Sequence, residues 1–137
     1  MSINIATLAR NNAGTAVTDL IDAGSINAAG KIEIRTGSKP ATPQIAATGT
    51  LLATFTMSLP SFGSFVNGVA SANAIANAQV VTDGLAGWYR VYDRDNQAVL
   101  DGDISDVTGS GDLIFDDVNF REGGLAVISN LTLTMPQ

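Results

Sequence analysis

The chain has 137 residues, 45% of them hydrophobic and 6% aromatic, with seven basic against thirteen acidic side chains and neither histidine nor cysteine. Those two zeros remove disulfides, thiol nucleophiles, haem ligation, zinc sites built on His or Cys, and every Ser-His-Asp or Cys-His catalytic pair. The formal net charge of -6, with no basic run longer than one residue, repels phosphate backbones and anionic lipid, so neither nucleic acid nor membrane is an expected partner.

The length suits a single domain over residues 1–137. The first residues lack a basic n-region, and no window approaches the roughly 20 apolar residues needed to cross a bilayer, so synthesis in the cytoplasm without an anchor is expected. Residues 1–24 read as a helical segment. Within it Ile5, Leu8, Ala9, Ala13, Ala16, Val17, Leu20 and Ile21 recur at three- and four-residue spacing, which predicts one amphipathic helix from Ile5 to Ile21 docked by that apolar face. Gly14 weakens it by about 1 kcal/mol relative to Ala, and Gly24 is placed to follow its C-terminus.

Residues 31–136 change period. Lys31-Ile32-Glu33-Ile34-Arg35 alternates as a half-buried strand with the isoleucines inward. Gly37 to Gly49, with Pro40 and Pro43, is a loop longer than most connections in a compact domain, a length often used for binding. Leu51, Ala53, Phe55 and Met57 then form one face of a strand and Leu52, Thr54, Thr56 and Ser58 the other, ending at Pro60. Phe62 to Val66, Asn67-Gly68, then Val69 to Ala72 is a hairpin signal, because Asn-Gly accepts the positive φ of a type I′ turn. Gly87 to Tyr92, the turn Asp93 to Gln97 and Ala98 to Ile104 make a second hairpin; Leu113 to Phe115 and an alternating run from Leu125 to Met135 complete the set. The expectation is an all-β fold, an antiparallel β-sandwich or jelly-roll of about eight strands with one N-terminal amphipathic helix. Nineteen alanines and fourteen glycines give a core of small side chains.

Ten of the thirteen acidic residues lie between Asp83 and Glu122. Asp93, Asp95, Asn96, Asp101 and Asp103 invite a calcium reading, but Gln97 and Ala98 occupy positions where an EF-hand loop needs a ligand and a glycine. Asp101 and Asp103 share a strand face as glycosidase carboxylates would, yet the chain has few rings for a sugar cleft. Gly109-Ser110-Gly111-Asp112 and Ala29-Gly30-Lys31 lack the rest of a dinucleotide loop or a P-loop and read as turns. Trp88 and Tyr92 share one strand face and Tyr89 the other; core packing, a protein interface and ligand stacking are all open to them. No catalytic, cofactor-binding or metal-ligating residue is assigned, and no cofactor is expected.

Thr48-Gly49-Thr50-Leu51-Leu52-Ala53-Thr54-Phe55-Thr56, Pro60-x-Phe62-Gly63, Asn67-Gly68-Val69-Ala70, Ala86-Gly87-Trp88-Tyr89-Arg90-Val91-Tyr92-Asp93 and Val99-Leu100-Asp101-Gly102-Asp103 follow one another in that order. In this series, over Gly37 to Pro136, the chain resembles small structural proteins of tailed-bacteriophage virions. The resemblance implies a capsid cementing or decoration protein, a small jelly-roll clamping neighbouring major capsid subunits, with no catalytic residue to carry over. The expected protein is thus a non-enzymatic homo-oligomer, dimer or trimer, on the capsid surface of a virion after synthesis in the bacterial host. The alternatives are a tail- or fibre-associated β-sandwich and a virion-displayed carbohydrate-binding module using Trp88, Tyr92 and nearby aspartates.

Overall fold

A computed structural model describes residues 3–136; Met1, Ser2 and Gln137, which the expected domain limits include, lie outside the described residues. The protein is mostly β, with one N-terminal helix and a curled sheet of seven to eight strands. The elements are α1 (Thr7–Asp22), β1 (Lys31–Thr36), β2 (Leu51–Thr56), β3 (Val69–Ser71), β4 (Ala78–Gln79), β5 (Gly84–Tyr92), β6 (Ala98–Ser105), β7 (Leu113–Phe115), β8 (Asn119–Phe120), β9 (Leu125–Ala126) and β10 (Ile128–Thr134). The main sheet runs β2-β1-β5-β6-β7-β10-β3 with β8 on β5, and β4 pairs with β9 separately.

Period-two patterning builds the centre of this sheet. Ile32 and Ile34 are fully buried, and the register sets Phe55, Ile32, Val91 and Leu100 in one row and Ala53, Ile34, Tyr89 and Gly102 in the next. The Tyr89 ring occupies the space over Gly102, where a Cβ would meet it at 2.3 Å. Phe55 and Phe115 lie on strands four steps apart in the order, yet their ring centroids are 5.9 Å apart. A flat sheet would hold those strands roughly 19 Å apart, so the sheet curls over its own core. Phe120 stands edge-on to Phe115 at 5.1 Å, and one cluster joins these rings to Ile21, Leu113 and Leu131.

Several expectations are corrected. Ile5 precedes the helix, which starts at Thr7, and the buried positions of α1 are Arg10, Gly14, Thr18 and Ile21, so Ile21 alone of the apolar stripe is buried. The reason is polar fastening: Arg10 donates to the carbonyls of Met135 and Pro136 at 2.9 and 3.2 Å. Gly14 meanwhile lets the Phe65 ring in to where a Cβ would be 2.4 Å from Cε1. Leu52 is buried with Ala53 and Phe55, because it packs on Gly84 and its carbonyl accepts the Val81 N–H. The Asn67-Gly68 turn has the expected positive φ at both residues, 53° and 78°, but its arms meet only at isolated bridges, since β3 gives its ladder to β10. The long strand from Leu125 breaks at Val127 into β9 and β10, which belong to different sheets. The described elements include ten strands where about eight were expected. The sheet is not wholly antiparallel: β6 and β7 pair in parallel over Ile104–Leu113 and Ser105–Ile114.

Candidate functional interface

Most of the stripe that defined the helix in the sequence faces solvent, although Val17 is half-buried and Ile21 is fully buried in the core. Ala9, Ala13, Ala16 and Leu20 fall within an arc roughly 60° wide, while Leu8 stands roughly 80° beyond its edge, past Asn12 and Asp19. All five are exposed, Leu8 by 71% and Leu20 by 58%, and so are Ile3 and Ile5 ahead of the helix start. The opposite side is held by hydrogen bonds: besides Arg10, Asn11 Oδ1 accepts the Gly68 N–H at 2.7 Å and the Asp22 carboxylate accepts the Ser61 N–H at 3.0 Å. Polar fastening on one side and an apolar surface on the other make α1 a presented element.

The acidic turn anchors the helix exit. Asp93 Oδ1 accepts the N–H groups of Asp95 and Gln97, which fixes the 93–97 turn, and Asn96 takes φ 64° within it. Asp95 Oδ1 accepts the N–H groups of Ser25 and Ile26 at 2.8 and 3.0 Å, and these bonds hold its carboxyl below the ordinary aspartate value. Asp101 is paired with Arg90, and Asp103 lies near Lys39. The five residues of the calcium reading therefore have separate structural partners, and among the described residues no three His, Cys, Asp or Glu groups come together as a metal site.

The outer face of the sheet, away from the core, carries Lys31, Glu33 and Arg35 on β1, Trp88, Arg90 and Tyr92 on β5, and Asp101 and Asp103 on β6. Arg90 donates to both Asp101 oxygens at 2.6 and 2.9 Å, and this pair, 4% exposed on each side, raises the guanidinium pKa from its ordinary value. The same guanidinium stacks on Trp88 at 5.4 Å. Tyr92 donates to Glu33 at 3.2 Å; its phenol is pushed up by burial and by that carboxylate. Trp88 is fully buried and presents no ring face to solvent, which leaves a Trp88–Tyr92 stacking platform without its larger ring. The loop from Gly37 to Gly49 crosses this face.

At the far end, a cleft of about 340 Å³ is floored by Val80, Phe115 and Phe120 and rimmed by Arg121, Leu125 and Val127. The exposed Val81 and Leu85 adjoin the lining of this cleft, Val81 following Val80 and Leu85 pairing with Asn119. Reading Leu125 to Met135 as one strand hid this cleft, since it opens where that run breaks. The Arg90–Asp101 pair was also missed, because counting outward from the 93–97 turn sets Arg90 opposite Leu100, and only a register shift between Val91 and Tyr92 brings Asp101 to it. No family model, curated protein or solved structure matches the chain.

Proposed function

We propose that the protein is a non-enzymatic virion structural protein that cements or decorates an icosahedral capsid by bridging neighbouring major capsid subunits, itself associating as a dimer or trimer. In this reading the curled sheet is a jelly-roll-type body that carries the contact surfaces. The observation that carries the reading is the apolar face of α1, turned outward while the helix is fastened by hydrogen bonds behind it. Exposed apolar side chains gathered on one side of a single element are what a contact surface offers to a partner. A lattice of identical sites gives a small chain many copies of one partner, and surface buried on assembly adds stability that an alanine-rich core lacks. An acidic surface suits a particle filled with nucleic acid, because it does not adhere to phosphate. The resemblance over Gly37 to Pro136 points to the same class of protein.

The test is cryo-electron microscopy of the intact particle. Density for this fold on local two-fold or three-fold axes of the head, with α1 against capsid subunits, is the expected result. Density on the tail alone would transfer the protein to a tail- or fibre-associated role, and absence from purified particles would end the virion reading.

A further inference from the structure

The β1–β2 hairpin closes before its loop begins. The Thr36 N–H donates to the Thr50 carbonyl at 3.1 Å and the Thr50 N–H donates to Thr36 Oγ1 at 2.9 Å. Two residues would suffice to join the strands at that point. Instead the chain leaves through Gly37 and returns through Gly49, both at positive φ, 84° and 77°, a conformation that side-chain-bearing residues avoid. Residues 37–49 are an addition to a hairpin already complete.

This strap lies over the outer face of the sheet. Gly37 rests against Gly87, where a Cβ would be 2.0 Å from the Gly37 carbonyl oxygen, and Lys39 Nζ reaches Asp103 on β6 at 3.6 Å. Arg35, Trp88 and Asp103 are cross-strand neighbours on β1, β5 and β6, so a segment that starts beside Arg35 and reaches Asp103 passes over Trp88. That passage accounts for a fully buried indole that does not belong to the core cluster. The fit is incomplete. Trp88 Nε1 is buried with no hydrogen-bond acceptor, although the strap that covers it is polypeptide and rich in carbonyls. The anchorage is light as well: the Lys39–Asp103 pair is 40% and 69% exposed, and the Thr48 hydroxyl donates to Ser38 within the strap itself. Pro40 and Pro43, half-buried, flank bends at Ala41 and Thr42, and the Ile45 N–H donates to the Thr42 carbonyl at 3.1 Å, so the prolines stiffen a turn within the strap.

We propose that the Trp88 face is a polypeptide-binding site and that the strap is its displaceable, self-supplied occupant. The partner it fits is a proline-bearing turn segment that, like the strap, brings one basic side chain to Asp103 and also supplies the carbonyl the indole N–H lacks. Arg90 asks for no anion, since Asp101 already neutralises it, and its guanidinium serves as a flat wall beside the ring. The site stands apart from the capsid reading and would exist whatever α1 contacts.

Trp88 is the only tryptophan of the chain, so its emission reports on this site alone. In a variant with residues 37–49 replaced by Asn-Gly, the emission is expected to shift to the red and become quenchable by acrylamide. Adding a synthetic peptide of residues 37–49 should reverse both changes saturably, and a peptide with both prolines replaced by alanine should bind roughly tenfold more weakly. A variant that keeps its sheet by circular dichroism, yet ignores the peptide, would overturn the proposal. If the shortened chain does not fold, hydrogen exchange on the full chain decides. Strap amides exchanging about tenfold or more faster than those of β5 support a displaceable segment; exchange in step with β5 would show the strap to be integral and sink the idea.

Discussion

Gly14 shows how a residue's neighbour can reverse its intrinsic preference. Alanine is worth about 1 kcal/mol more than glycine inside a helix, but here its methyl group would sit 2.4 Å from the Phe65 ring. Overpacking of that kind costs about 1–3 kcal/mol, so Gly14→Ala is expected to destabilise by about 1 kcal/mol in urea unfolding and to become neutral or favourable in a Phe65→Ala background. Arg90 and Asp101 make the opposite point, that two charges out of water are stable only together. Asp101→Ala would strand a buried guanidinium and cost about 3–5 kcal/mol, whereas Arg90→Met combined with Asp101→Leu should come close to the parent in denaturant midpoint. Polarity alone made Ile32 and Ile34 legible in the sequence as inward residues. Arg10, Gly14 and Thr18 were not legible as the docked face of α1, because what buries them is carbonyl oxygens and a ring brought from distant parts of the chain.

Turns and helix ends decide how the elements meet. Asp95 joins the helix exit to the β5–β6 turn through two backbone bonds that favour its ionised form. Asp106 and Asp117 are likewise lowered, by bonds from Thr108 and Asn119. A carboxyl whose folded pKa lies below its unfolded value contributes fully above the usual 3.8 and loses that contribution as pH falls through the folded value. Asp112, raised by its burial and then by Asp103, works the other way and is relieved on protonation. Three groups against one give a melting temperature that falls as pH drops below about 4. Asp95→Asn should lower the melting temperature at pH 7 and flatten its decline between pH 5 and 3, as scanning calorimetry would show. At this scale the sequence was most readable where local chemistry sets geometry, as at Asn67-Gly68 and the 93–97 turn. It misled over Leu125 to Met135, where perfect alternation conceals a change of sheet at Val127 that only the partners β4 and β7 impose.

The proposed contact surface lies on an element that the body holds from behind. Leu8→Glu with Leu20→Glu should therefore leave the melting temperature within about 0.5 kcal/mol of stability, yet reduce incorporation into particles sharply in a competition between tagged variants. Unchanged incorporation would remove α1 from the contact set. The β-rich class, the lone helix and the two hairpin turns could be read from periodicity and turn residues. The curl could not, since it depends on Phe55 meeting Phe115 across four strand steps. Distance along the chain also sets a schedule. Arg10 finds its carbonyl at Met135, 125 residues on, and at synthesis rates of roughly 5–20 residues per second that acceptor leaves the ribosome about 6–25 s after the guanidinium. The Asn11 and Asp22 bonds, to Gly68 and Ser61, become available long before that, so a nascent chain arrested short of Met135 should carry α1 held at those two points with its Arg10 turn loose and more open to protease than in the finished chain.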